Sequence, residues 1–251
     1  MKKYIALLLS ALMVLCLFAG CGTQESETSE PPAAESADPV ETAGAGETEG
    51  GYKFGLTTMG EASFWDAVEE GVLNVMNEGD ELIFVEGEHG NAAGQVDIIE
   101  DFIAQGCDLV FFNPVDADAA TSCLNLLEEA GIPVINFDSA CTDMSTVETF
   151  CATDNYAAGA LGAYSAITGA GADVDLYSVN GGPEAKAKML ADGEEGVWRA
   201  TSAQQPIKMG ETICELAYQY LAGEELESEY LIDAFIISPA NIEEYAGSDW
   251  Q

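Results

Sequence analysis

Five short runs recur along the chain: YKFGLTT (52–58), ELIFVEG (81–87), DLVFFNP (108–114), IPVINFD (132–138) and VETFCATD (147–154). They are apolar throughout instead of alternating with polar residues, so each needs cover on both faces. Helical patterns separate them. Residues 64–76 put Phe64/Trp65, Val68, Val72 and Val75/Met76 on one face, with Gly79 as the stop. Asn91 to Gln105 turns Val96, Ile99 and Phe102/Ile103 inward and stops at Gly106. A third helix, capped by Asp116 or Asp118, carries Ala120, Cys123/Leu124 and Leu127 and closes at Gly131. Apolar strands alternating with amphipathic helices predict an α/β fold, with a parallel sheet and helices on both faces.

In such sheets ligands sit beyond the carboxyl ends of the strands. The residues there are Thr57–Trp65, Glu86–Asn91, Asn113–Asp118, Asp138–Cys141 and Thr153–Asn155. They carry no G-x-G-x-x-G, no G-x-x-x-x-G-K-S/T and no G-x-S-x-G, so dinucleotide, P-loop and hydrolase-elbow chemistry lack their sequence signals. His89 is the single histidine and reads as a solvated loop residue. The strand ends instead offer aromatics (Phe64, Trp65), amides (Asn113, Asn155) and a carboxylate (Asp138). Ring faces cover the C–H face of a sugar, and planar polar groups bridge its hydroxyls.

Charge narrows the partners. The chain holds 45 Asp+Glu against 7 Lys+Arg, a formal net charge of −38. A phosphate backbone needs cations to neutralise it, so nucleic acid is excluded as a partner, and anionic metabolites are disfavoured. No cofactor or metal is expected, since no cysteine pair has C-x-x-C or metal-ligand spacing. Cys107, Cys123, Cys141, Cys151 and Cys214 read as buried small hydrophobes, with a Cys141–Cys151 disulfide across a loop as the open alternative.

Residues 1–20 read as a signal peptide: MKK, an apolar run, then Leu17-Phe18-Ala19-Gly20-Cys21. Small residues before a cysteine at that place resemble the bacterial lipoprotein box, which implies Cys21 as the lipidated first mature residue and a lipid-anchored, extracytoplasmic protein. Residues 21–51 form an acidic tether, rich in Ser, Thr, Glu, Pro, Ala and Gly, that is expected to be disordered.

The order YKFGLTT…SFWDAVEEG…LVFFNPVDADA…GIPVINFD…CATDNYAAG resembles the type I periplasmic sugar-binding proteins, whose familiar members bind ribose, galactose and xylose. DLYSVNGGPEAKAKMLADG, RATSAQQPIKMGETICELAYQYLAGEE and ANIEEYAGSDW continue the likeness to the end of the chain. The resemblance implies two lobes that close on a sugar by hinge motion and a loaded protein that docks on an ABC permease or a chemoreceptor. It implies a first lobe over 52–154, a second over 155–203, and a returning helix, strand and tail over 204–251. Position by position it assigns Phe64 and Trp65 to sugar stacking. Asn113, Asp138, Thr153, Asn180 and Gln204 receive polar contacts. Ser139 stands where the family often has Arg, Asn180 where it has Asp, and Ala62-Ser63 where it has Asn-Pro.

Against that family the stretch CATDNYAAGALGAYSAI (151–167) is anomalous. The family's D-N-x-x-A-G and A-x-G-A-x-x-A-I open two different helices; here they are joined at Gly159–Ala160. The expectation is a truncated second lobe, with two or three βα units absent, on the order of 80 residues. It retains strands near 174–180 and 197–203, a helix over 183–192 and part of 230–237. Three roles fit: a lipoprotein delivering a monosaccharide or small polyol to an ABC importer; a sensory ligand-binding lipoprotein serving a membrane receptor; or a non-binding remnant. An enzyme has no nucleophile–base pair to rest on.

Overall fold

The computed structural model describes residues 51–159, 176–247 and 250. The predicted signal, Cys21, the tether and the join at Gly159–Ala160 therefore lie outside the described residues or at their edge. Strands β1 (Lys53–Thr58), β2 (Glu81–Glu86), β3 (Leu109–Phe112), β4 (Val134–Phe137) and β5 (Thr149–Thr153) coincide with the five apolar runs. With β8 (Glu229–Ile232) they form a six-stranded sheet in the order β2-β1-β3-β4-β5-β8, every pair parallel.

Helices cover both faces, as uninterrupted apolar strands require. On one face, α1 (Ser63–Val75) and the long α5 (Pro206–Leu221) pack Trp65, Val68, Val72, Met209, Ile213 and Cys214 against Phe54, Leu56, Leu109, Phe111, Ile135 and Phe137. On the other, α2 (Ala92–Gln105) and α3 (Ala120–Ala130) pack Ile99, Phe102, Cys123, Leu124 and Leu127 against Val110, Phe112 and Val134. Consecutive residues of β3 thus enter different cores, as the two-residue period of a strand dictates. Helices α2 and α3 end at Gly106 and Gly131 in the left-handed conformation, as expected. Helix α1 ends earlier than predicted, at Val75, and Gly79 (φ 102°) shapes the turn into β2. Asp116 Oδ1 accepts from the N–H groups of Asp118 and Ala119, so its capping acts on the turn that leads into α3.

The α1–α5 crossing is built on two glycines. A Cβ on Gly71 would lie 2.0 Å from the Ile207 carbonyl oxygen, and one on Gly210 would lie 1.9 Å from that of Val68. The helix backbones touch, which lets a helix 140 residues downstream of α1 share its core.

A second sheet has the order β6-β7-β9, from β6 (Leu176–Asn180), β7 (Trp198–Ala203) and β9 (Phe235–Ile237). β6 and β7 are parallel, β7 and β9 antiparallel. Among the described residues its helix is α4 (Pro183–Asp192), and its core is Met189, Ala203, Ile237 and Ile242. Of segment 230–237, part of which is expected in the second lobe, β9 joins the smaller sheet, while β8 joins the larger. The Cys141–Cys151 disulfide is also ruled out. Cys141 lies in the core under α2 and α3, Cys151 in the core under α1 and α5, and the sheet separates them; both thiols are free.

Candidate functional site

The carboxyl ends of β1, β3 and β4 are tied together by buried amides. Asn113 Oδ1 accepts from the Met59 N–H (2.9 Å), and its Nδ2 donates to the Phe137 carbonyl (3.1 Å) and towards Asp138 Oδ2 (3.4 Å). Asn113 is fully buried. Both ends of its amide serve the protein's own backbone, so its geometry is that of a brace holding three strand ends. Asn136, also fully buried, donates to the carbonyls of Phe112 (2.8 Å) and Ser139 (2.9 Å) and accepts from the Cys141 N–H (3.1 Å). Gln95 reaches from α2, donating to the Asn113 carbonyl (2.9 Å) and accepting from the Val115 N–H (2.8 Å). Neither was a sequence candidate. Gln95 was nonetheless findable: it lies one turn before Ile99 on the inward stripe, where a polar residue needs a partner.

Asp138 sits on this brace. Its Oδ2 receives Ser139 Oγ–H (3.0 Å) as well as Asn113, while Oδ1 has no hydrogen-bond partner among the described residues. Burial pushes its pKa up, against the lowering effect of those two hydrogen bonds. Its backbone is left-handed (φ 59°). Among the described residues the one other non-glycine with positive φ is Asn180 (φ 90°), at the end of β6 in the smaller sheet. Asn180 is exposed, and the N–H of the following Gly181 donates to Thr201 Oγ1 (3.1 Å). Left-handed non-glycine residues cost backbone energy and cluster at functional positions; Asp and Asn bear the cost best.

Where the chain passes between the sheets, the Gln204 side chain donates to Asn155 Oδ1 (3.3 Å) and the Gln205 side chain to the Asp233 carbonyl (2.8 Å). Gln204 is therefore placed at the crossings, joining the end of β7 to the turn after β5. Thr153 is buried at the end of β5, and its Oγ1 has no partner among the described residues; Ser202 Oγ on β7 shares that condition.

The aromatic pair divides. Trp65 is 6% exposed and packs edge-on to Phe137, with ring centroids 6.1 Å apart. It belongs to the core, because it falls on the inward stripe of α1. Phe64, half-buried, stands edge-to-face with Trp65 (4.8 Å) and with Trp250 of the C-terminal tail (5.4 Å). Around the start of α1 the charge is negative. Glu86 accepts a hydrogen bond from the Ala62 backbone, and its pKa is raised by burial first and then by the charges of Asp66 and Glu61. No group of three or more His, Cys, Asp or Glu among the described residues could hold a metal. The thiols are pushed up by burial, Cys107 and Cys123 to about 11 and Cys141, Cys151 and Cys214 to about 12, so none is a nucleophile near neutrality.

The chain is similar to proteins of known fold. The ribose import binding protein of Bacillus subtilis (strain 168) is 26% identical over 125 residues, which are 49% of this chain and 40% of that protein. The chain therefore aligns with about two-fifths of the length of that curated relative. Among solved structures, an ABC transporter solute binding protein from Mycobacterium smegmatis with bound glycerol superposes with a TM-score of 0.70 at 18% identity, over 80% of this chain and 99% of that one. A galactofuranose binding protein gives 0.66 at 15% identity, over 79% and 98%. An ABC transporter solute binding protein from Bacillus halodurans C-125 with bound myo-inositol gives 0.62 at 17% identity, over 80% and 99%. These likenesses show the fold. Residues 53–188, more than half of the chain, match the periplasmic binding protein domain, and the chain belongs to that family.

Proposed function

We propose that this protein is an extracytoplasmic sugar-binding lipoprotein that presents a monosaccharide or similar small polyol to an ABC importer, held to the membrane through Cys21. The observation that carries the binding role is the pair Asp138 and Asn180. Asp138 directly follows a strand of the larger sheet and Asn180 ends one of the smaller, and both take the left-handed backbone that non-glycine residues seldom adopt. Among the described residues Asp138 keeps one carboxylate oxygen, Oδ1, unengaged beside a braced Oδ2, which suits accepting a hydrogen bond from a ligand hydroxyl. The acidic start of α1 and the scarcity of Lys and Arg favour a neutral ligand over an anionic one. The ligands in the names of similar proteins, ribose, glycerol, galactofuranose and myo-inositol, are of this kind. Relatives of this class are transport components, and catalysis forms no part of the proposal.

The test is a thermal melt of residues 22–251, alone and with pentoses, hexoses, inositols and glycerol. A ligand at one hundred times its dissociation constant adds about 2.7 kcal/mol, and one sugar is expected to raise the midpoint by several degrees. A melt indifferent to the whole panel overturns the binding role and leaves the remnant reading. Mass spectrometry of the full chain expressed in a bacterium checks the anchor: a mature protein that begins anywhere but at a lipidated Cys21 removes it.

A further inference from the structure

Trp250 belongs to none of the strand ends, yet it lies at the start of a helix in each half of the molecule. Its indole Nε1 is 3.4 Å from the Oγ of Ser63, the first residue of α1. Its ring stands at 89° to Phe64, 5.4 Å between centroids. A Cβ placed on Gly182, the N-cap of α4, would meet the ring at Cη2, 3.4 Å away. Helix α1 follows the carboxyl end of β1, and α4 follows that of β6. These are the ends where an α/β sheet binds its ligand, so the indole lies between the binding edges of the two sheets.

It is also the outermost of four rings in series. Phe137 meets Trp65, Trp65 meets Phe64 and Phe64 meets Trp250, each pair near perpendicular. The inner end of the series is Phe137, the residue before Asp138. With Trp65 withdrawn into the core, Phe64 would otherwise be the sole aromatic surface of the cleft drawn from α1.

We propose that Trp250 is a ligand-contacting residue of this cleft, the aromatic wall that the C-terminal tail supplies. The proposal rests on the sugar-binding reading above. An indole offers the largest ring face for the C–H side of a sugar and an N–H for a hydroxyl. Here it spans to Gly182, just beyond the end of β6 in the smaller sheet. Gly182 has an ordinary φ of −64°, so its backbone tolerates a side chain, and the space in front of it is taken by the ring.

The experiment uses the sugar that shifts the melt of the wild-type protein and measures its affinity calorimetrically for Trp250→Ala, Trp250→Phe and Gly182→Leu. Trp250→Ala is expected to lose at least tenfold in affinity while its ligand-free melt stays cooperative. Trp250→Phe should retain most of the affinity, and Gly182→Leu, which displaces the ring from the far side, should weaken binding as the alanine variant does. Wild-type affinity in Trp250→Ala overturns the proposal, as does tighter binding, which would mean that the indole occupies the sugar's own place. Failure of every sugar to bind the wild type overturns both readings together, and so is distinguishable from failure of the tail's role alone.

Discussion

The two sheets are written in the same sequence grammar and end in different physical states. In the larger one, β3 and β4 are buried along their whole length, and helices seal both faces. In the smaller one, among the described residues, β6 is an edge strand whose Leu176 and Val179 are 41% and 47% exposed, and the core consists of Met189, Ala203, Ile237 and Ile242 with half-buried Trp198, Phe235 and Tyr245 around them. Strand and helix propensity are local, whereas stability comes from apolar area removed from water by the layers together. Among the described residues β6 stands at the edge of a small sheet, where a strand keeps its conformation while contributing little.

Three substitutions probe that difference, from the largest expected effect to the smallest. Gly210→Ala sets a methyl 1.9 Å from the Val68 carbonyl oxygen and must push α5 off α1. It is expected to destabilise the larger sheet by about 3 kcal/mol, at the upper end for overpacking, and to lower its melting midpoint by roughly ten degrees. An unchanged midpoint would mean that the helices do not cross at this glycine pair. Met189→Ala removes the largest fully buried side chain of the smaller core. Its cost, about 2 kcal/mol, should stay local: faster amide exchange in β6, β7 and β9, with β1, β3 and β4 as slow as before. Equal acceleration in both sheets would show that they unfold as one unit and would erase the contrast.

Asp138→Asn is the smallest effect and the one with a pH signature. Burial raises the folded-state pKa of Asp138 above its unfolded value, so stability is full while the carboxyl is protonated in both states and is lost as pH rises through the folded pKa. The amide cannot ionise, and asparagine suits φ 59° at least as well as aspartate. The variant should therefore melt a few degrees above wild type near neutral pH, with the gain vanishing in acid, below the ordinary carboxylate range. A gain that persists in acid would assign it to the backbone alone. The same variant should bind sugar more weakly, which would separate the site's function from its stability.

Much of the larger sheet was legible because the pattern that shows it is local. Uninterrupted apolar runs made the parallel strands visible, and Gly106 and Gly131 marked helix ends whatever packed above them. The candidate site was legible by position more than by role. Asp138 stood out as a carboxylate directly after a strand, but so did Asn113 as an amide, and nothing local distinguishes a side chain offered to a ligand from one used up bracing Met59 and Phe137. Trp65 and Phe64 are neighbours of equal chemistry, separated only by which of them falls on the inward stripe of α1.

The sequence by itself determined the class of fold, the helix and strand alternation, the acidic surface and the carboxyl-end positions where a ligand would sit, since each follows from periodicity, composition or the handedness of a βα connection. Only the tertiary structure decided that segment 230–237 divides between two sheets, that Cys141 and Cys151 lie on opposite faces, that Gly71 and Gly210 meet, and that the tail brings Trp250 between Phe64 and Gly182. Those contacts join residues far apart in the chain. Such a contact depends on how whole elements pack, and no local run of residues encodes it.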